Sequence, residues 1–121
     1  MIIEDDYFVL DIYHTKLTQE GFEVLDAKDG GEGLEKLRTQ EKLPDLILLD
    51  IIMPNLGGLD VLGAIKQDER LRNIPIILLT NLSQKDEIDK GLELGATDYL
   101  IKSHFTPSEV LEKINSVLSK A

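Results

Sequence analysis

Cysteine and tryptophan are absent from the 121 residues, and only 5% of the chain is aromatic. The lack of cysteine excludes disulfide bonds and metal sites built from thiolates. No apolar run approaches the ~20 residues of a membrane-spanning helix, because even the longest, such as 76–79, have the length of a strand. Acids follow Met1 to Ile3 at once, unlike the long apolar segment of a secretory signal. We therefore expect one cytoplasmic domain over residues 1–121, with no membrane partner.

Positive charge is also scarce, with 13 Lys and Arg residues against 23 Asp and Glu residues and a net charge of −10. Phosphate backbones attract clusters of Lys and Arg, so direct binding of nucleic acid by this chain is not expected. Most of the acids fit an ordinary solvated surface. The three consecutive acids at 4–6 differ from these, because they directly follow an apolar run.

Apolar runs typical of β-strands alternate with amphipathic stretches of helical length. The predicted strands are 2–3, 22–25, 46–49, 76–79 and 99–101. Gly21 and Gly95 are expected to end the first and fourth helices, 73–75 to close the third, and 106–107 to begin the fifth. Five β-α units in this order predict a doubly wound α/β domain with a parallel sheet. The first strand is shorter than the usual five or so residues, which indicates trimming or fraying.

Polar residues follow four of the predicted strands, at the edge where open α/β sheets bind ligands. They are Glu4, Asp5 and Asp6 after the first strand, Asp50 after the third, Thr80 after the fourth and Lys102 after the fifth. Several carboxylates held together stay ionised only around a cation, and oxygen ligands suit Mg²⁺. Asp50 is placed to act as a nucleophile towards phosphorus. Lys102 and Thr80 are placed to contact phosphoryl oxygens, through a positive charge and a hydroxyl donor.

In order and spacing, these residues resemble the receiver domain of two-component response regulators, of the chemotaxis-regulator type. The resemblance runs from Ile2 to the last helix and is carried by residues 2–6, 48–54 with Gly58, 76–80 and 95–102. It implies a flavodoxin-like three-layer sandwich of five helices around a five-stranded sheet in the order 2-1-3-4-5. It also implies a phosphorelay in which Asp50 accepts a phosphoryl group from a histidine kinase or a phosphotransfer protein. The chain would then not be a dedicated enzyme.

The resemblance also implies a role for each matched residue. Asp5 and Asp50 would ligate Mg²⁺, or Mn²⁺ in its place, with Glu4 acting through water and Ile52 through its backbone carbonyl. Asp6 matches a variable position and is left out of the metal shell. Thr80 and Tyr99 would form the switch pair, with Tyr99 turning inward as Thr80 moves towards the phosphoryl group. The fourth helix, fifth strand and fifth helix, over 84–119, would then be the surface that changes for a target that the sequence does not identify.

Departures from the family pattern keep one alternative open. Asn81 stands where a small residue usually follows the switch threonine, and Ser103 stands where proline usually follows the lysine. With the short first strand, these departures keep a pseudo-receiver, which binds partners without phosphorylation, as the alternative. A pseudo-receiver would have lost Asp5, Asp50 or Lys102, and none of the departures removes a catalytic group. Two other classes fit less well. A haloacid dehalogenase-type phosphohydrolase needs an acid at Ile52, and a flavodoxin-type electron carrier needs a Ser/Thr/Gly-rich loop where 4–6 are acidic.

Two further expectations concern single residues. In this family the positions of Ile52 and Leu82 flank the approach of hydrolytic water, and both are apolar here, so the phosphorylated form is expected to lose its phosphoryl group slowly. His14 and His104 have no matched partner and are expected to be plain surface residues.

Overall fold

A five-stranded parallel sheet lies between two layers of helices in the computed structural model, which describes residues 1–81 and 84–119. The strands are β1 (Ile2–Ile3), β2 (Asp26–Ala27), β3 (Ile47–Asp50), β4 (Ile76–Thr80) and β5 (Asp98–Ile101). The helices are α1 (Tyr7–Gln19), α2 (Gly30–Thr39), α3 (Gly58–Gln67), α4 (Lys85–Glu93) and α5 (Pro107–Ser119). The sheet order is β2-β1-β3-β4-β5, with every neighbouring pair parallel. This confirms the predicted fold class and strand order.

The sheet divides the apolar core into two clusters. Alternate residues of the central strands point to opposite faces, so Leu49 and Leu78 pack against α2, α3 and α4, whereas Leu48 and Ile77 pack against α1 and α5. All four side chains are at most 1% exposed. Burying each such side chain contributes roughly 1.5–3 kcal/mol, which explains why these strands are continuously apolar. None of the helices in the described ranges is long and apolar enough to cross a membrane.

Local sequence signals set the ends of several helices. Gly21 and Gly95 adopt φ values of 92° and 110° directly after α1 and α4, a conformation that glycine reaches without steric penalty. Before α5, the Thr106 hydroxyl accepts the Glu109 N–H while the Glu109 carboxylate accepts the Thr106 N–H. Asp6 caps α1 by accepting the N–H groups of the second and third residues of that helix. These contacts confirm the predicted helix ends at Gly21, Gly95 and Thr106.

The third, fourth and fifth strands differ from the predicted ranges by one residue at one or both ends, and two elements differ by more. The second strand is 26–27 rather than 22–25, because its neighbour β1 is only two residues long and pairs with Asp26 and Ala27 alone. Helix α3 ends at Gln67 rather than at 73–75. Asp68 stops it, since its side chain accepts the Arg70 N–H and its carbonyl accepts two later N–H groups in a turn.

Helix α4 lies close to the sheet at Gly91. A Cβ atom added there would collide with the side chain of Leu78 in β4. The absence of a side chain at Gly91 therefore lets the helix backbone rest directly on the buried strand.

Candidate functional site

The polar residues predicted to meet at one edge of the sheet lie at the carboxyl ends of the strands. Asp50 is the last residue of β3, Thr80 is the last residue of β4, and Lys102 directly follows β5. Glu4 and Asp5 directly follow β1. Glu4 and Thr80 are fully buried and Asp50 is 4% exposed, whereas Asp5 faces solvent. The edge is thus a partly covered polar site rather than an ordinary solvated surface.

Lys102 joins the first and third strands electrostatically. Its Nζ lies 2.5 Å from Glu4 Oε1 and 3.2 Å from Asp50 Oδ1. Carboxylate oxygens of Glu4, Asp5 and Asp50 also lie within 4.8 Å of one another. One positive charge therefore faces three carboxylates, and the cluster keeps an excess of negative charge.

The electrostatics of the site follow from this crowding. Burial raises the pKa of the Asp50 carboxyl from 3.8 to about 9, helped by the hydrogen bond and the charge of Glu4 and opposed by Lys102. Burial by itself lowers the pKa of Lys102, but the bonds and charges of Glu4 and Asp50 outweigh it, so the pKa of the lysine is raised. Lys102 therefore stays charged, and the three carboxyl groups together need a bound proton or a second cation to offset their remaining negative charge.

The residues present fit a hard divalent cation. Glu4 Oε1 is buried and contacts the Lys102 ammonium at 2.5 Å, which occupies one lone pair of this oxygen. No other donor within the described residues bonds Oε1, so its second lone pair can ligate a cation. Three clustered carboxylates with an oxygen available for ligation are the donor set that Mg²⁺, Mn²⁺ or Ca²⁺ prefers.

The predicted switch residues lie beside this cluster. The Thr80 hydroxyl donates to Gln84 Oε1 at 2.7 Å, with Asn81 O at 3.1 Å as a second acceptor. Within the described residues, it makes no hydrogen bond to Asp50 or Lys102. Tyr99, which lies in β5, is 37% exposed. The structure thus brings the acids and the lysine together and leaves the threonine engaged elsewhere.

Sequence reasoning missed Gln84. The signal that could have found it is the spacing Asn81-x-x-Gln84, because a polar residue followed three positions later by Gln or Glu marks a helix start at which the two residues exchange bonds. His14 lies at the surface as expected, with 38% of its side chain exposed, and its Nδ1 lies 2.7 Å from Asp26 Oδ2, a pairing that the sequence did not indicate. His104 is exposed, as expected. Leu82 lies outside the described residues.

The fold and this edge of acids and lysine define a phosphate-signalling class of α/β domain, and comparison with known proteins specifies it. The family model "Response regulator receiver domain" matches residues 1–115. The chain belongs to this family of two-component receiver domains.

Relatives and solved structures agree with the family. The chain is 35% identical over 123 residues to the alkaline phosphatase synthesis transcriptional regulatory protein PhoP of Bacillus subtilis, covering 100% of this chain and 48% of PhoP. It is 33% identical to the phosphate regulon transcriptional regulatory protein PhoB of Rhizobium meliloti, covering 99% of this chain and 52% of PhoB. The chain therefore spans about half the length of these relatives. The chemotaxis protein CheY4 of Vibrio cholerae superposes with a TM-score of 0.86 at 28% identity, covering 96% and 94% of the two chains.

Proposed function

We propose that this chain accepts a phosphoryl group on Asp50 from a phosphohistidine of a sensor histidine kinase or a phosphotransfer protein. The observation that carries the proposal is the contact of the Lys102 ammonium with both Glu4 and Asp50, beside Asp5, at the carboxyl edge of the sheet. A structural ion pair needs one acid for one lysine. This arrangement holds two more acids than that, in the place where open α/β sheets bind ligands.

The transfer is a single displacement at phosphorus. An Asp50 carboxylate oxygen forms the O–P bond as the P–N bond of the phosphohistidine breaks. The other ring nitrogen of the phosphohistidine carries a proton. The electron pair of the broken P–N bond stays on the first nitrogen, so the ring leaves as neutral imidazole. The Lys102 ammonium compensates negative charge on one phosphoryl oxygen, and the Thr80 hydroxyl donates to another.

A divalent cation completes the proposed site. Asp5 and Asp50 would hold it directly, Glu4 through water and Ile52 through its backbone carbonyl. Mg²⁺, or Mn²⁺ in its place, would neutralise charge on the transferring group. It would also allow Asp50 to shed its proton and attack as a carboxylate. The chain promotes its own phosphorylation in this way without being a dedicated enzyme.

The proposed response is a change of surface. Once the Thr80 hydroxyl bonds the phosphoryl group, the partly exposed Tyr99 ring would turn inward beside β4. The surface of α4, β5 and α5 would then present a different shape to the output target. Such a switch is a two-state element that a local change of charge biases.

The proposal predicts metal-dependent loading from a small phosphoryl donor. With acetyl phosphate and saturating Mg²⁺, the intact mass of the protein should increase by one phosphoryl group, and EDTA should prevent the gain. Asp50→Asn should not load, because it lacks the nucleophilic carboxylate. Asp6→Asn is the matched control, since Asn caps a helix as well as Asp and this residue lies outside the proposed shell. Loading of the Asp50→Asn variant would mean that another residue accepts the phosphoryl group and would overturn the role of Asp50. No loading of the wild type would favour the pseudo-receiver.

A second prediction concerns the lifetime of the phosphorylated form. Ile52 is 53% exposed two residues after Asp50 and offers no hydrogen bond to an incoming water. We expect phosphate release from the isolated, phosphorylated protein to be slow, and Ile52→Asn to accelerate it about 2- to 10-fold, the range for one added hydrogen bond. Release of inorganic phosphate after removal of the donor measures both rates. Loss from the wild type within a few seconds, or equal rates for the two proteins, contradicts this expectation.

A further inference from the structure

The side-chain oxygen of Gln84 accepts two hydrogen bonds from the end of β4. The Thr80 hydroxyl donates to Gln84 Oε1 at 2.7 Å, and the Asn81 N–H donates to the same oxygen at 3.0 Å. The Gln84 N–H in turn donates to the Asn81 carbonyl at 3.2 Å. These three residues therefore form a closed set of bonds at the edge of the sheet next to Asp50.

Gln84 also marks the start of α4. It is the N-cap residue of that helix, yet its side chain makes no capping bond to the helix itself. The side chain is instead directed back to the strand that precedes it. The contact thus links the hydroxyl of Thr80 to the first turn of α4 through one side chain.

A hydroxyl carries a single proton, so Thr80 can donate to only one acceptor at a time. Thr80 is fully buried, so when Gln84 is lost its remaining acceptor is the Asn81 carbonyl, at 3.1 Å a longer and weaker contact than the 2.7 Å to Gln84 Oε1. While the proton is donated to Gln84, it is withheld from any phosphoryl oxygen at Asp50. Recruiting Thr80 to the phosphoryl group therefore requires breaking the bond to Gln84.

We propose that Gln84 is a positioning residue that holds the Thr80 hydroxyl in the unphosphorylated protein and opposes its recruitment. The phosphoryl group and the Gln84 amide compete for one proton, so phosphorylation removes this bond between β4 and the first turn of α4 and leaves the two bonds between Asn81 and Gln84. The strength of the Thr80–Gln84 bond sets how far phosphorylation shifts the equilibrium towards the state in which Thr80 contacts the phosphoryl group. The inference rests on the proposed function in one respect, namely that Thr80 donates to the phosphoryl group.

Beryllofluoride, which stands in for the phosphoryl group, measures this competition directly. Titration at saturating Mg²⁺, followed by the ¹H–¹⁵N NMR signal of Tyr99, gives a dissociation constant. Gln84→Met keeps the length of the side chain and removes the amide oxygen. We expect it to bind beryllofluoride about 3- to 10-fold more tightly than the wild type, the range for one uncharged hydrogen bond. Gln84→Ala serves the same purpose if the methionine variant does not fold.

Two comparisons separate this role from a structural one. In a Thr80→Ala background there is no hydroxyl to hold, so Gln84→Met should leave the dissociation constant unchanged. Gln84→Glu keeps an acceptor oxygen, so it should not bind more tightly than the wild type. An equal change in the wild-type and Thr80→Ala backgrounds would mean that Gln84 acts only through the start of α4, which overturns the inference.

The outcomes also distinguish this inference from the proposed function. If the wild type binds beryllofluoride and Gln84→Met binds it no more tightly, the positioning role is wrong and the receiver function stands. If the wild type does not bind beryllofluoride with saturating Mg²⁺, the proposed function fails, and the positioning role fails with it.

Discussion

Asp50→Asn will raise the free energy of unfolding of the metal-free protein above pH 7, even though it removes the proposed reactive group. Burial and Glu4 raise the pKa of Asp50 to about 9, so the native state disfavours the charge that the unfolded chain carries freely. Asn has nearly the same shape and never carries that charge. Lys102 keeps its contact with Glu4 in this variant, so no buried charge is left without a partner. Each unit by which the pKa of a group is raised corresponds to about 1.4 kcal/mol, so we expect a gain of about 1 kcal/mol or more at pH 8.5.

The effect should depend on pH in a definite direction. The native pKa of Asp50, about 9, lies above its ordinary value of 3.8, so the native state binds the proton more tightly than the unfolded state. The stability from this proton is fully present below pH 4 and is lost as the pH rises through 9. Urea unfolding in EDTA should therefore show a wild-type midpoint that falls from pH 5.5 to 8.5 relative to that of the Asp50→Asn variant.

Two controls make this prediction specific. Asp89→Asn removes the same charge from an exposed site on α4 and should change stability by less than ~0.5 kcal/mol at either pH. Saturating Mg²⁺ should stabilise the wild type more than the Asp50→Asn variant, because a ligand that binds only the native state adds to its stability. If the urea midpoint of Asp50→Asn is at or below that of the wild type in EDTA at pH 8.5, the charge of Asp50 does not destabilise the native state.

Gly58→Ala will destabilise the fold by at least about 2 kcal/mol. A Cβ atom at Gly58 would fall on the carbonyl oxygen of Asp50 and within 2.7 Å of Ile51 Cα. These are backbone atoms that cannot rotate away, and the Gly58 N–H is already bonded to the Ile51 carbonyl at 2.7 Å. Overpacking usually costs about 1–3 kcal/mol, and a backbone collision lies at the upper end of that range.

The same helix provides a matched control for this substitution. Gly63 also lies in α3, but a Cβ atom there would meet nothing within 4 Å. Gly63→Ala should therefore stabilise the protein by up to about 1 kcal/mol through helix propensity alone. Chemical denaturation of both variants measures the contrast, and similar stabilities for the two would mean that the start of α3 moves away from Asp50 easily.

The sequence predicted the parts of the fold that depend on local patterns. Continuous apolar runs gave the buried central strands, and Gly21 and Gly95 gave two helix ends, because only a few residues tolerate their left-handed backbone. The acids and Lys102 were found at one edge because parallel strands all end on the same side of a sheet. Each of these signals lies within a few residues of the feature that it specifies.

The parts that were missed depend on which of several possible contacts forms, and in two cases the partners lie apart in the sequence. The ends of the second strand depend on the length of β1, which is remote in sequence. The bond of His14 to Asp26 depends on how α1 lies beside β2, and neither residue alone indicates it. The Gln84 side chain could equally have capped its own helix, and only the structure shows it directed towards Thr80.

The close contact at Gly91 gives α4 a fixed point about which the helix can rotate. Its backbone rests on Leu78 there, near the carboxyl end of the helix, while its other end is tethered to β4 through Gln84. If phosphorylation breaks the Thr80–Gln84 bond, the first turn of α4 can move away from β4 while the helix keeps its contact with the sheet at Gly91. Its first turn would then travel furthest, and in the beryllofluoride spectra the amide signals of 85–87 should move more than that of Gly91.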